Sequence, residues 1–113
     1  MNLAKLSCVP PRKGEPALSE DRVRDLARDV PGWTLRPGEP RLQKEFKFKD
    51  FASALAFVER VARIAEKEEH HPDIHIHYDR VVLVLWTHAI GGLSENDFIM
   101  AAKINTLKRR RVA

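Results

Sequence analysis

Four of the five histidines in this chain fall within residues 70–77, in the run His70-His71-Pro72-Asp73-Ile74-His75-Ile76-His77. The fifth, His88, closes the next apolar run, and Asp97 follows nine residues later. Imidazole changes charge near neutral pH, so a cluster of this kind can move protons or ligate a metal. The metal reading draws His70, His71, Asp73, His75 and His77 together, as a histidine-rich metal-binding protein or a metal-dependent hydrolase. Its signal is weak, because no thiolate is near and five donors exceed a tetrahedral need. A third reading is a non-catalytic homo-oligomeric interaction module.

Two carboxylates lie where they could act on these rings. Glu66 is four residues before His70, one helical turn away, and could orient that imidazole or stabilise its cation. Asp97 stands three residues after Ser94, the spacing of a capping box, while Leu93 and Phe98 have staple spacing. Asp97 can serve both as cap and as orienting group if one oxygen takes a backbone N–H and the other faces a pocket. His75 and His77 share one face of a short alternating segment, which favours a solvent-facing edge strand. His88 continues the period-two series Val82, Val84 and Trp86, which predicts a partly buried ring if the strand extends that far.

The elements that would position these residues are legible from punctuation and period. Residues 1–17, with Pro10-Pro11, Gly14 and Pro16, read as an irregular arm. Ser19 caps a helix with Glu20 and Asp21 in its first turn, Leu18 and Val23 at staple spacing, and the stripe Val23, Leu26, Ala27 and Val30. Pro31-Gly32 ends it. Trp33–Leu35 begins a strand, Arg36-Pro37-Gly38-Glu39 turns, and Leu42–Phe48 alternates, with Lys44 interrupting the apolar face. Asp50 caps a long helix whose stripe is read as Phe51, Leu55, Val58, Ala62 and Ala65, with Ala54 and Val61 beside it and Phe57 and Ile64 widening the face. It is expected to end near His70, since Pro72 holds His71 extended. A helix C-terminus there favours the imidazolium of His70 and His71. Ile74, Ile76 and Tyr78 face one way, Asp79-Arg80 turns, and Val81–Trp86 reads as a central strand. After Gly91-Gly92, Ser94 opens a third helix with Phe98, Ala101, Ala102 and Leu107 available for packing. The predicted fold is α+β: a four-stranded antiparallel sheet with three helices on one face, in the order α-β-β-α-β-β-α. The apolar run Val81–Trp86 asks for cover on the second face, which favours an oligomer.

A chain of 113 residues forms one domain. It has no apolar stretch long enough to span a membrane and no apolar leader at its start, and its single cysteine, Cys8, cannot close an internal disulfide, so the cytoplasm is the expected compartment. The formal charge is +4, all of it attributable to Lys108-Arg109-Arg110-Arg111. This basic tail, residues 108–113, reads as a solvated helix end, and no interleaved aromatics point to nucleic acid.

The spaced set Glu66, His70-His71-Pro72, Tyr78, His88 and Asp97 resembles the pterin-4a-carbinolamine dehydratase family. Phe46-Lys47-Phe48-Lys49-Asp50-Phe51, Trp86-Thr87-His88 and Gly92-Leu93-Ser94 are similar to it as well, so that the likeness covers residues 18–107 as a single dehydratase-like domain. Cys8-Val9-Pro10 looks like the arm of longer members. The resemblance implies dehydration of 4a-hydroxytetrahydropterin to quinonoid dihydropterin, with no metal and no cofactor, the pterin being the substrate. It implies His70, His71 and His88 lining the pterin pocket as catalytic residues, with Glu66 and Asp97 orienting them or binding substrate. It also implies a homodimer or homotetramer, and a functional link to an aromatic amino acid hydroxylase whose spent pterin is recycled.

Overall fold

The computed structural model describes residues 2–107; the basic tail 108–113 lies outside the described residues. The helices are α1 (Glu20–Ala27), α2 (Phe51–Glu68) and α3 (Glu95–Asn105), and the strands β1 (Thr34–Leu35), β2 (Leu42–Lys47), β3 (Asp73–His77) and β4 (Arg80–Leu85). The predicted element order and the antiparallel sheet are present, with the helices on one face and the strands in the order β1-β2-β4-β3. β4 is thus central, as its unbroken apolar run requires, and β3 is an edge. Leu42, Phe46, Val81, Leu83 and Leu85 form the helix-facing layer.

Local chemistry sets the helix starts. The Ser19 hydroxyl accepts the Arg22 N–H, and Asp50 Oδ1 accepts the Ser53 N–H at 2.8 Å. That backbone bond holds the Asp50 carboxyl below the ordinary aspartate value, as expected for an anion favoured at a helix N-terminus.

α2 corrects the sequence reading of its buried face. The buried positions are Ala54, Phe57, Val61 and Ala65, with Val58 and Ile64 partly covered, whereas Phe51, Leu55 and Ala62 are exposed. The helix carries two adjacent apolar stripes, and packing selects the one with small residues at both ends. Ala54 and Ala65 allow close approach, and Phe57 then packs, with its ring tilted, against Phe46 and Phe48 at 4.7 and 5.0 Å between ring centroids. Burying a ring such as Phe57 contributes about 1.5–3 kcal/mol.

The remaining differences have equally local causes. Trp33 does not start β1; it is buried, and its indole N–H donates to Asn105 Oδ1 at 3.0 Å. Lys44, on the core-facing side of β2, passes its ammonium out to the same Asn105 oxygen at 2.9 Å and to the Pro31 carbonyl. Gly32 makes room for it: a Cβ there would lie 2.8 Å from Lys44 Cε and Nζ, and its φ of +86° also disfavours a side chain.

α3 is buried on most of its surface, from Asn96 through Ala102. One cover is the sheet and α2; another is the N-terminal arm, whose 3-10 turn, Leu3–Lys5, carries Leu3 into the core. Further along the arm, burial and the nearby Glu68 carboxylate push the Cys8 thiol up to about 12, so it stays neutral and unreactive at physiological pH.

Candidate active site

His70 reaches the interior because of how α2 ends. Glu69 takes the left-handed conformation, φ +54°, and the N–H groups of Glu69 and His70 both return to the Ala65 carbonyl. This is a Schellman-type stop, with glutamate in the place glycine usually takes. The chain reverses there, and His70, 9% exposed, points under the helix end. Its Nε2 lies 2.6 Å from Asp97 Oδ1 on the first turn of α3.

Asp97 is fully buried, and its two oxygens divide the work. Oδ2 accepts the Ser94 N–H at 2.9 Å, closing the capping box from the third helical position, and accepts the Thr87 hydroxyl at 2.9 Å. Oδ1 faces His70. Thr87 has one hydroxyl proton and gives it to Asp97, so the Ser94 hydroxyl, 2.7 Å away, must donate to Thr87. The chain Ser94 to Thr87 to Asp97 therefore fills the carboxylate with donors. A carboxylate has no proton to give, which fixes the proton of neutral His70 on Nε2 and leaves the lone pair on Nδ1. Thr87 is held in turn by a backbone bridge to Gly92, N to O 2.8 Å, across a turn that Gly91 closes at φ +63°.

Glu66 does not pair with His70, as its one-turn spacing predicted, but with His71: Oε2 lies 2.5 Å from Nε2. The reversal at Glu69 breaks the helical register beyond Glu68, so His70 swings inward and His71 remains outside, on the exposed side with Glu66. His88 also departs from expectation. β4 ends at Leu85, and His88 lies exposed on a 3-10 turn, His88–Ile90, rather than partly buried on the strand face. Its ring packs on Trp86, with centroids 3.8 Å apart, and the Arg41 guanidinium lies 4.3 Å from the same indole. The chain leads from Thr87, which touches Asp97, directly into His88.

The five donors of the metal reading are dispersed. His70 faces Asp97, His71 faces Glu66, and Asp73 accepts the Trp86 indole N–H at 3.4 Å. His75 and His77 are exposed on the edge strand. Among the described residues no three histidine, cysteine, aspartate or glutamate side chains converge where a metal ion could be held.

Thr87, Trp86 and Arg41 belong to this constellation without having been singled out as site residues from the sequence. Thr87 carries no spacing signal, because its partners come from a different element. Trp86 and Arg41 look like ordinary strand residues until β2 and β4 pair.

Residues 16–107 match the sequence pattern of the family described as Pterin 4 alpha carbinolamine dehydratase. A relative from Stenotrophomonas maltophilia (strain K279a), provisionally named pterin-4-alpha-carbinolamine dehydratase, is 48% identical over 105 residues, which span 93% of this chain and 90% of the relative. The crystal structure of a transcriptional coactivator/pterin dehydratase from Brucella melitensis superposes with a TM-score of 0.75 at 38% identity, covering 79% of this chain and 95% of that one. A pterin dehydratase-like protein described as a RuBisCO assembly factor of the alpha-carboxysome shares the fold, with a TM-score of 0.57 at 24% identity, covering 68% of this chain and 89% of that one.

Proposed function

The chain belongs to the pterin-4a-carbinolamine dehydratase family, and from that premise we propose that it removes water from 4a-hydroxytetrahydropterin through His70, His71 and His88. Family membership makes the activity that of a carbon–oxygen lyase working without a metal cofactor. A carbinolamine carries hydroxyl and amine nitrogen on one carbon. Dehydration breaks the C4a–O bond and makes a C=N bond: the hydroxyl leaves with a proton from an acid, and the ring N–H proton goes to a base. Both groups must work near neutral pH, which suits imidazole.

The observation that carries the assignment is the buried Asp97–His70 pair. Asp97 holds the Nε2 proton of His70, so Nδ1 is the atom that takes the ring proton. His88, on the turn that follows Thr87, protonates the departing hydroxyl. His71, with Glu66 on its Nε2, binds and polarises the substrate. Each turnover transfers one proton to His70 and one from His88, and exchange with solvent restores both. The carbinolamine also dehydrates unaided, so the enzyme supplies a modest acceleration, and positioned acid–base groups contribute ~10²–10⁴-fold.

Stopped-flow dehydration of 4a-hydroxytetrahydropterin tests the reading. The protein is expected to accelerate the reaction, and EDTA treatment to leave the rate unchanged. No acceleration refutes it; stoichiometric metal whose removal abolishes activity restores the metal alternative.

The physiological setting proposed is the cytoplasm, downstream of an aromatic amino acid hydroxylase whose spent pterin is the substrate. No described helix is long and apolar enough to cross a membrane. We also propose a homodimer or homotetramer, supported by Val82, half-buried on the side of β4 away from the core, and by the half-buried Trp86 just past the end of that strand. Light scattering at micromolar concentration that shows only a 13.0 kDa species would sink the oligomer.

A further inference from the structure

We propose that the N-terminal arm is a positioning element for the His70–Asp97 pair, acting through Asn96 and Glu68. The proposal rests on the catalytic assignment of His70 above. Its basis is where the arm touches the fold. Asn96 immediately precedes Asp97, and its amide makes a reciprocal pair with the arm: Oδ1 accepts the Val9 N–H at 2.9 Å, and Nδ2 donates to the Val9 carbonyl at 2.6 Å. Glu68 is the last residue of α2, two before His70, and its Oε1 accepts the Cys8 N–H at 2.8 Å.

The arm thus bonds at adjacent residues, Cys8 and Val9, to the two helix ends that carry the two members of the pair. A second tie closes the same seam. Lys103 of α3 donates to the Ala4 carbonyl at 2.8 Å and lies 3.8 Å from Glu68 Oε2, with both side chains largely buried. The Glu68 carboxylate therefore sits between an arm N–H and an α3 ammonium. Without the arm, the end of α2 and the start of α3 would still touch through His70–Asp97 and Lys103–Glu68, but the bonds from Ala4, Cys8 and Val9 that brace them from outside would be gone.

Geometry of this kind matters to catalysis because a proton acceptor displaced by ~1 Å can cost ~10²-fold in rate. Neither Asn96 nor the arm touches the reacting atoms in this scheme. Their effect passes through Asp97 and His70, so it should appear in kcat and its pH dependence rather than in substrate affinity.

The test uses two variants of the full chain. Asn96→Ala removes both amide bonds to Val9. Val9→Pro removes the Val9 N–H at a side chain that is 68% exposed, and it also fixes φ at residue 9 and restricts Cys8 before it, so both arm bonds are loosened. Release of the arm is read independently by Cys8 alkylation with iodoacetamide at pH 8, which should accelerate once the thiol leaves its buried place beside Glu68. Both variants are expected to show faster labelling, a kcat lowered by about tenfold, KM within ~2-fold of the parent, and a displaced pH profile of kcat.

Faster labelling with an unchanged kcat and pH profile overturns the proposal. Unchanged labelling together with unchanged kcat overturns it as well, since the Val9–Asn96 pair would then not hold the arm. If Asn96→Ala does not fold, Val9→Pro decides alone by the same readings. His70→Ala, measured alongside, separates the two claims. Full turnover in His70→Ala sinks the catalytic assignment, whereas its loss there beside normal arm variants sinks only the role of the arm.

Discussion

Replacing His70 by alanine is expected to lower turnover of 4a-hydroxytetrahydropterin by at least ~10²-fold, the low end for a lost acid–base group. The substitution leaves Asp97 Oδ1 buried without its donor, at about 1–3 kcal/mol, but the other Asp97 oxygen keeps both of its own donors and the capping box stays closed. The fold should therefore survive, and thermal unfolding of the variant checks that it does. His75→Ala and His77→Ala are the matched controls, since both side chains are exposed on the edge strand. They should remain within a few-fold of the parent. Normal turnover in His70→Ala combined with its loss in either control would show that the catalytic set is wrong.

Asp97 is expected to give two different failures, depending on the replacement. Asp97→Asn preserves volume. The amide oxygen can keep the Ser94 N–H and the Thr87 hydroxyl, so the capping box survives. That leaves the amide N–H₂ facing His70 Nε2, donor against donor, unless the imidazole moves its proton to Nδ1. The base would then present a proton where it needs a lone pair. Trapping a catalytic histidine in the wrong tautomer costs up to ~10⁴-fold in the serine proteases, and a loss on the order of 10²–10⁴-fold is expected here with little change in stability.

Asp97→Ala removes all acceptors at once. The Ser94 N–H and the His70 Nε2–H are then buried without their acceptors, at about 1–3 kcal/mol each, the Thr87 hydroxyl keeps only Ser94 Oγ, and the helix loses its capping box. Urea unfolding should show Asp97→Ala destabilised by several kcal/mol on that reckoning and Asp97→Asn close to the parent. Equal destabilisation by both replacements would mean that the amide oxygen does not keep the Ser94 and Thr87 bonds. Full activity in a folded Asp97→Asn would remove the tautomer argument.

The shared fold is a weaker guide than the site. A fold by itself does not fix an activity, which lives in the site the fold presents. The activity reading rests on family membership and on a buried carboxylate that orients a histidine.

The order of elements could be read from the chain because it depends on neighbours in sequence. Ser19, Asp50 and Ser94 cap helices through residues three positions away, and the uninterrupted run Val81–Trp86 reads as a central strand, which the structure forms over Arg80–Leu85. The Ser94–Asp97 capping box was visible for the same reason. What tertiary structure decided lay beyond that reach. Periodicity could not choose between two adjacent apolar stripes on α2; the Phe46 and Phe48 rings on the sheet chose Phe57. Lys44 looked like an interruption of the β2 face until Asn105 and the Pro31 carbonyl supplied an exit for its ammonium. One-turn spacing aimed Glu66 at His70, but a left-handed Glu69 gives no signal in composition, since glycine or asparagine is the residue expected there. That single reversed residue exchanged the partners, sending His70 to Asp97, 27 residues away, and leaving Glu66 with His71. Thr87 and Asn96 acquired their parts only when β4, α3 and the arm came together, because a hydrogen bond between distant segments has no spacing to read.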